Sequence, residues 1–334
     1  MAPRERGWGG LLSALATFLL VPATPLLRTV VPIEQTWLLL LPALAVCTLV
    51  GWRAGGRLTL ALLWTALALW TLAHTATTAP GAGAYDRLAR GWALLLTGAF
   101  GALFVLGSRR RFFSIALSAV ALSLAAALLL CLPPGNGDQL HDTVVRELTA
   151  RDAQKLAQLD EFRESAEGRK YVADDPNAGE TMEQVSRLYH ALPARVARLA
   201  PALLALESLV ALALAWALYH RISRVRIGPP LGSLKQFRFN DQLIWGVIVG
   251  IIILVLPALD QLRVVGLNLA LFFGTLYVLR GVGVFAYFFS VGRVAAVVFT
   301  VVAVFFWPLS AVGAFGLGLG DTWLDWRRPR TPTA

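Results

Sequence analysis

Two ionisable residues stand inside long apolar stretches of this chain. Arg280 lies within TLYVLRGVGVFAYFF, and no other charged residue occurs between Arg263 and Arg293. Glu207 lies within LARLAPALLALESLVALALAWALYH. A charged side chain at the centre of a bilayer costs roughly 2.5–3.5 kcal/mol even on the mildest scale, so each residue needs a partner. The available chemistry is an ion pair, or an arginine that binds an anionic group.

The depths of the two residues predict that they form this pair. Arg280 precedes the loop residue Arg293 by thirteen residues, and Glu207 precedes Arg221 by fourteen. A rise of 1.5 Å per residue places both roughly 20 Å from the same membrane edge. We therefore predict that the guanidinium lies within about 4 Å of the carboxylate, as in an ion pair, or reaches it through one water molecule. The pair would either fix helix packing or line a polar cavity, where Asn268 could add a hydrogen bond to a carbonyl or a ligand.

Signs of catalysis or of a bound metal are missing from the sequence. It contains no HExxH, no GxSxG and no phosphate-binding loop. Cys47 and Cys131 both lie in apolar stretches, and His141 and His190 show no ligand spacing. We expect a protein that is not an enzyme, with no metal and no cofactor.

The elements that hold Arg280 and Glu207 are predicted to be membrane-spanning helices. Of the 334 residues, 57% are hydrophobic and 15% are charged, against roughly a quarter charged in soluble domains. Apolar runs near the length needed for a bilayer core of roughly 30 Å recur along the chain. The fold class is an all-α, polytopic transmembrane helical bundle with about nine hydrophobic segments: Trp8–Leu27, Pro32–Trp52, Leu58–Thr78, Gly91–Gly107, Phe112–Leu132, Leu199–Tyr219, Asp241–Ala258, Gly266–Phe289 and Val294–Gly320.

The distribution of basic residues predicts a cytoplasmic N-terminus. With this orientation thirteen loop Lys and Arg residues fall inside and four outside, as the positive-inside rule requires. The inside set is Arg4, Arg6, Arg53, Arg57, Arg109, Arg110, Arg111, Arg221, Arg224, Arg226, Lys235, Arg238 and Arg293; the outside set is Arg28, Arg87, Arg90 and Arg263. The same rule explains the net charge of +10, so nucleic acid is not an expected partner. The apolar run after the charged N-terminus is interpreted as a retained first helix.

One long polar segment interrupts the apolar runs. Apolar residues recur at three- and four-residue spacing after Leu140 and again after Met182, with a turn signal, DDPN, between the two stretches. This pattern predicts an amphipathic helical hairpin outside the cytoplasm. It would serve as a lid or partner-binding arm, or be only a solvated insertion. The predicted organisation is residues 1–132, a membrane bundle of five spans; 133–198, the hairpin; 199–326, a second membrane bundle; and 327–334, a basic tail.

Pro308 divides the last apolar segment. A proline inside a helix removes a hydrogen bond and breaks or kinks the helix. We predict two helices, Val294–Phe306 and Leu309–Gly320, which return the Arg327–Arg330 tail to the cytoplasmic side.

The C-terminal hundred residues resemble the YybS-like family of uncharacterised bacterial membrane proteins. The motif matches are Gly266 and Asn268 in a Gly-x-Asn, Tyr277 and Gly281 in the following stretch, and Gly318, Asp321, Trp323 and Asp325 in a Gly-x-x-Asp-x-Trp-x-Asp ending. The layout of the chain is more distantly similar to the S components of energy-coupling factor vitamin transporters and to the cell-shape protein MreD. These resemblances imply a multi-pass protein of the bacterial cytoplasmic (inner) membrane.

Two functions remain open from the sequence. The resemblance to S components implies a small-molecule binding or transport component, and Arg280 would suit a small anionic solute. The resemblance to MreD implies a cell-envelope scaffold with a membrane protein partner. In both cases the lipid bilayer is the surrounding medium.

Overall fold

The structure is a computed structural model that describes residues 30–74, 83–107, 110–174, 177–289, 302–303 and 305–327. The predicted first helix Trp8–Leu27 lies outside the described residues, as do most of Val294–Phe306 and the tail after Arg327. Contacts within the chain divide it into two compact units. The N-terminal unit holds the described residues up to Gly228 except Arg111–Ser114, and the C-terminal unit holds Arg111–Ser114 and the described residues from Pro229.

The described residues of the N-terminal unit form seven α-helices. These are α1 (Trp37–Arg53), α2 (Leu58–His74), α3 (Gly83–Leu106), α4 (Phe112–Cys131), α5 (Asn136–Glu164), α6 (Ala166–Asp174) and α7 (Ala178–Ile222). The apolar helices agree with the predicted all-α membrane bundle. In the described part of the chain, four helices are long and apolar enough to cross a bilayer: α3, α4, α7 and the helix that ends at Phe288.

Three helices of this unit run in the same direction. The indole of Trp92 on α3 donates to Ser208 on α7 at 2.9 Å, and further along both helices Phe104 packs against Trp216. Gly51 on α1 lies against Tyr219 on α7, and Val46 on α1 lies against Gly101 on α3. The parallel directions agree with the predicted alternation of spans, in which these three segments all cross the same way.

The polar segment differs from the predicted hairpin. It contains α5, the additional short helix α6 and the first part of α7. Because α7 continues without interruption through Pro193 and Pro201, no break occurs at the predicted boundary of residues 198 and 199. The boundary between the two units lies instead at Gly228–Pro229. Helix α7 belongs to the N-terminal unit because it packs against other helices of that unit, such as α3. We call residues 136–198 the arm.

The C-terminal unit contains three α-helices among its described residues: α8 (Ile244–Val255), α9 (Arg263–Phe288) and α10 (Trp307–Leu324). Short 3₁₀ turns lie at Leu234–Gln236 and Asp241–Leu243, before α8, and at Pro257–Leu262, between α8 and α9. Helices α8 and α9 are antiparallel, with Gly246 against Phe273 and Gly250 against Gly266. Close approach at these glycines explains the GxxxG of α8.

Helix α10 begins where proline chemistry predicts a break. Phe306 has non-helical dihedral angles, and Pro308 occupies the first turn, where its missing N–H is tolerated. Contacts between Tyr277 and Phe315 and then between Phe288 and Trp326 show that α9 and α10 run in the same direction. The end of α10 therefore lies on the same side as the end of α9, as the prediction for the tail requires.

Candidate functional site

The guanidinium of Arg280 lies at the centre of a charge cluster in the C-terminal unit. Arg280 is 1% exposed, and its three nitrogens are all hydrogen-bonded. Nε donates to Asp321 Oδ2 at 2.9 Å, one terminal nitrogen donates to the Asp321 carbonyl at 3.2 Å, and the other donates to Asp241 Oδ1 at 2.5 Å. The ring of Phe239 covers the guanidinium, whose carbon lies 5.4 Å from the ring centroid.

Asp321 binds a second arginine from the segment that follows α10. Arg327 donates to both carboxylate oxygens of Asp321, at 3.0 and 2.6 Å, in the bidentate geometry that makes arginine–carboxylate pairs strong. Its remaining nitrogen donates to the carbonyls of Lys235 and Phe237, each at 3.0 Å. Arg327 thus belongs to the folded unit and not to a free basic tail.

An outer layer completes the cluster. Arg238 lies 2.5 Å from Asp325 and 3.9 Å from Asp321. Three arginines therefore face three aspartates, and their formal charges cancel. The buried part, Asp321 with Arg280 and Arg327, is excluded from solvent, whereas the Asp241 side chain is 61% exposed.

Glycines bring α9 and α10 close enough for these contacts. A Cβ on Gly281 would lie 1.7 Å from the Ala314 carbonyl oxygen, and one on Gly318 would lie 2.0 Å from that of Tyr277. Glycine is therefore required at both positions. Arg280 and Asp321 occupy neighbouring positions on these helices, one residue before Gly281 and three after Gly318.

Glu207 lies in a separate polar cluster, within the N-terminal unit. Its Oε2 accepts a hydrogen bond from the backbone N–H of Ile33 at 3.0 Å, and its Oε1 lies 3.4 Å from the Thr36 hydroxyl, which donates to it. Glu207 is 5% exposed. It satisfies the backbone of the loop that precedes α1.

Arg151 of the arm reaches the same loop. It donates to the carbonyls of Val31 and Pro32 at 2.9 and 3.2 Å, and it forms an ion pair with Glu147 at 3.0 Å. Tyr85 lies under its guanidinium and donates its hydroxyl to the Pro32 carbonyl. Arg151 and Glu207 thus hold opposite hydrogen-bonding groups of one short loop.

The predicted pair of Arg280 with Glu207 is wrong, because each side chain takes its partners from its own unit. The depth comparison assumed that α9 continues to Arg293, but α9 ends at Phe288, eight residues after Arg280, or about 12 Å along the axis. The long arginine side chain can reach the carboxylates at the helix ends from this depth. Asp321, near the end of α10, and Asp241, just before α8, are therefore its partners.

Several other predicted site residues do not join the charge cluster. Asn268 donates to the Val264 carbonyl of its own helix at 2.8 Å. Gly266 packs against α8, and Trp323 is 67% exposed. Tyr277, Gly281, Gly318, Asp321 and Asp325 do lie in or beside the cluster.

Sequence reasoning did not find Asp241, Arg238 and Arg327 as members of the cluster, nor Arg151 as a partner of the loop before α1. A signal existed for the first group: Arg238 and Asp241 come just before α8, and Arg327 comes just after the end of α10. For Arg151 no such signal existed, because its loop partners lie about 120 residues away.

Two pockets among the described residues are lined by residues of the N-terminal unit, and neither includes Arg280. One pocket beside Arg151 has space for about one water molecule. Another opens outward beside α5; its lining is Ala84, Gln139, Asp142, Thr143, Val145 and Arg146. The described residues also contain no group of three or more His, Cys, Asp or Glu side chains that could hold a metal ion.

Comparison with known proteins supports the conclusion that the chain is a membrane protein. Residues 160–322 match a family model described as a predicted membrane protein (DUF2232). The match begins in the arm and ends in α10, so that it includes Glu207, Arg280 and Asp321. No curated protein and no solved structure matches the chain. The chain is thus a membrane protein with several apolar helices, and about half of it is similar to a family of predicted membrane proteins.

Proposed function

We propose that this protein is a non-catalytic interaction component of a membrane assembly, and that the arm binds the partner. The observation that carries the proposal is the continuity of α7. This helix has 45 residues, about 68 Å at 1.5 Å per residue, whereas a bilayer core needs about 20 residues. Roughly half of α7 therefore extends beyond the apolar bundle as part of the arm.

Packing fixes the arm to the bundle. Leu148 of α5 is buried against Val196 and Ala197 of α7, and Val144, Val145, Leu192 and Leu203 surround this contact. Arg151 adds the hydrogen bonds to the loop before α1. An arm held in this way presents a preformed surface. Binding of a partner to such a surface costs little conformational entropy.

Exposed apolar side chains on the arm supply anchors for such a partner. Phe162, Val172 and Leu188 are all exposed. They lie outside the apolar spans, where lipid would not cover them. Aromatic and aliphatic side chains commonly dominate the binding energy at protein interfaces. The resemblance to the scaffold protein MreD favours the same role.

The transport alternative has less support in the geometry. A carrier of small solutes needs a cavity of roughly 300–1,000 Å³ with a few convergent polar groups. Arg280, the residue predicted to bind an anionic solute, is instead neutralised by Asp321 and Asp241. Transport is retained as the second candidate function because of one observation: Glu207 and Arg151 form a polar cluster, and a cavity the size of one water molecule lies beside Arg151.

The test compares the size of the native complex for arm variants. Phe162→Glu with Leu188→Glu would place charges on the proposed binding surface, and Glu183→Gln with Gln184→Glu would alter exposed polar positions of the same arm as the control. After mild detergent extraction from membranes of the source organism, we expect wild type and control in an assembly larger than the purified chain. The anchor variant should have the size of the purified chain.

Two results would contradict the proposal. One is a wild-type complex no larger than the purified chain under the mildest extraction. The other is an anchor variant that stays in the assembly. Thermal unfolding of each purified variant must match that of the wild type, so that loss of association is not loss of the fold.

A further inference from the structure

One end of the N-terminal unit carries a concentration of arginines. Helices α1, α3 and α7 run in the same direction, so their C-terminal ends lie together at this end. Exposed arginines follow each of these helix ends or occupy its last turn; we call them the basic end: Arg53, Arg57, Arg110, Arg221, Arg224 and Arg226.

These arginines lack the compensation found elsewhere in the chain. The described residues around them, 50–60, 103–107, 110 and 216–228, contain no Asp or Glu, and none of the six forms an ion pair with a described carboxylate. In the C-terminal unit, by contrast, Arg238, Arg280 and Arg327 are each paired with aspartate. The helix dipole favours a basic residue in the last turn of a helix. This effect accounts for about one arginine at each of the three helix ends, whereas six arginines are present.

The surroundings of the basic end fit a membrane interface. Trp52 and Ile222 are both exposed there, directly beside Arg53 and Arg221. Tryptophan is enriched where membrane helices meet lipid headgroups, and clustered arginines at this level attract anionic lipids. A group of exposed arginines that form no ion pair with a described carboxylate, beside exposed apolar side chains, is thus complementary to negatively charged headgroups.

We propose that the basic end binds the headgroups of anionic phospholipids. The inference is independent of the proposed role of the arm, which lies at the other end of the unit. Each arginine that contacts an anionic headgroup should increase the affinity for that lipid about fivefold at low salt.

The test measures lipid preference around the full chain in nanodiscs of phosphatidylcholine. Electron paramagnetic resonance separates spin-labelled lipids held at the protein from those that move freely. Spin-labelled phosphatidylglycerol should associate at least fivefold more strongly than spin-labelled phosphatidylcholine, and 0.5 M salt should remove most of the difference because it shortens the screening length to about 4 Å.

Matched variants locate the effect. Glutamine at four positions of the basic end should abolish the preference: Arg53→Gln, Arg57→Gln, Arg224→Gln and Arg226→Gln. Four equal charge changes on the arm should leave it unchanged: Arg146→Gln, Arg163→Gln, Arg169→Gln and Lys170→Gln. Lysine at the same four positions of the basic end should preserve it.

Several outcomes would overturn the proposal. These are an equal affinity of the wild type for both lipids, a similar loss in the arm variant, or a loss in the lysine variant. Inorganic phosphate at 10 mM that removes the preference would indicate a site for free phosphate instead. Tighter binding of double-stranded DNA than of anionic vesicles would indicate a nucleic acid partner.

Discussion

At the scale of single residues, the charge cluster joins two aspartates of very different exposure to one buried arginine. Asp321 is completely buried and shared by Arg280 and Arg327, whereas Asp241 is largely exposed. Removing one member of a buried ion pair leaves the other uncompensated, which costs about 3–5 kcal/mol. Removing an exposed partner costs about 0–1 kcal/mol, because water replaces it.

The first prediction compares these two partners of Arg280. Asp321→Asn should lower the free energy of unfolding by about 3–5 kcal/mol, because two buried arginines lose their charge partner. Asp241→Asn should lower it by less than about 1 kcal/mol. Equilibrium unfolding in mixed micelles measures both, and equal losses for the two variants would contradict the assigned roles.

The second prediction concerns the independence of Glu207 and Arg280. Their hydrogen-bond partners are Ile33 and Thr36 in one case and Asp321 and Asp241 in the other. Residues without shared partners show additive effects within about 0.3–0.5 kcal/mol. The losses for Glu207→Leu and Arg280→Leu should therefore add in the double variant. A double variant that is more stable than either single one would instead indicate a direct ion pair.

At the scale of elements, the contact between α9 and α10 depends on two glycines that face carbonyl groups. Gly281 faces Ala314, and Gly318 faces Tyr277. Membrane helices lack a hydrophobic force between them, so close packing of small residues and hydrogen bonds hold them together. The glycines therefore position the charge cluster as well as the helices.

The third prediction tests these glycines against one in open space. Gly281→Ala and Gly318→Ala should each destabilise the protein by about 1–3 kcal/mol, because a methyl group would overlap a backbone oxygen. Gly274→Ala lies on the same helix as Gly281 with no atom near its Cβ, so the gain in helix propensity of about 1 kcal/mol should make it neutral or stabilising. Unfolding in mixed micelles distinguishes them; a Gly281→Ala variant as stable as Gly274→Ala would disprove the close contact.

At the scale of the whole molecule, helix directions within each unit follow the predicted alternation of spans. In the N-terminal unit the arm and the basic end lie at opposite ends of α7. In the C-terminal unit Arg327 contacts the carbonyls of Lys235 and Phe237, so the end of α10 lies beside the loop that precedes α8. The positive-inside rule predicts that the basic loops lie in the cytoplasm and the arm on the opposite side.

The fourth prediction tests this orientation in the membrane by cysteine labelling. Ala54 and Lys170 are both exposed, the first beside the basic end and the second on the arm. In a background with Cys47→Ala and Cys131→Ala, an impermeant maleimide applied to intact spheroplasts should label Lys170→Cys. Ala54→Cys should react only after the membrane is opened. Labelling of Ala54→Cys alone in intact spheroplasts would reverse the orientation.

The amino-acid sequence by itself determined the fold class, the apolar segments and the break before α10. These features depend on local composition: apolar runs long enough for a bilayer, amphipathic spacing after Leu140, and a proline that cannot continue a helix. Within the described residues, predicted and observed ends of α4 and α9 differ by only a few positions. The sequence also identified Arg280, Glu207 and Asp321 as residues of interest.

Only the tertiary structure decided which of these charges meet. Depth along a helix limits the choice of partner, but it contains no information on which face of a helix points to which neighbour. The glycine contacts of α9 with α10 set that orientation and bring Arg280 to Asp321. The uninterrupted course of α7 is likewise accompanied by packing against α1, α3 and α5, whereas the change from polar to apolar composition at residue 199 predicts a boundary there.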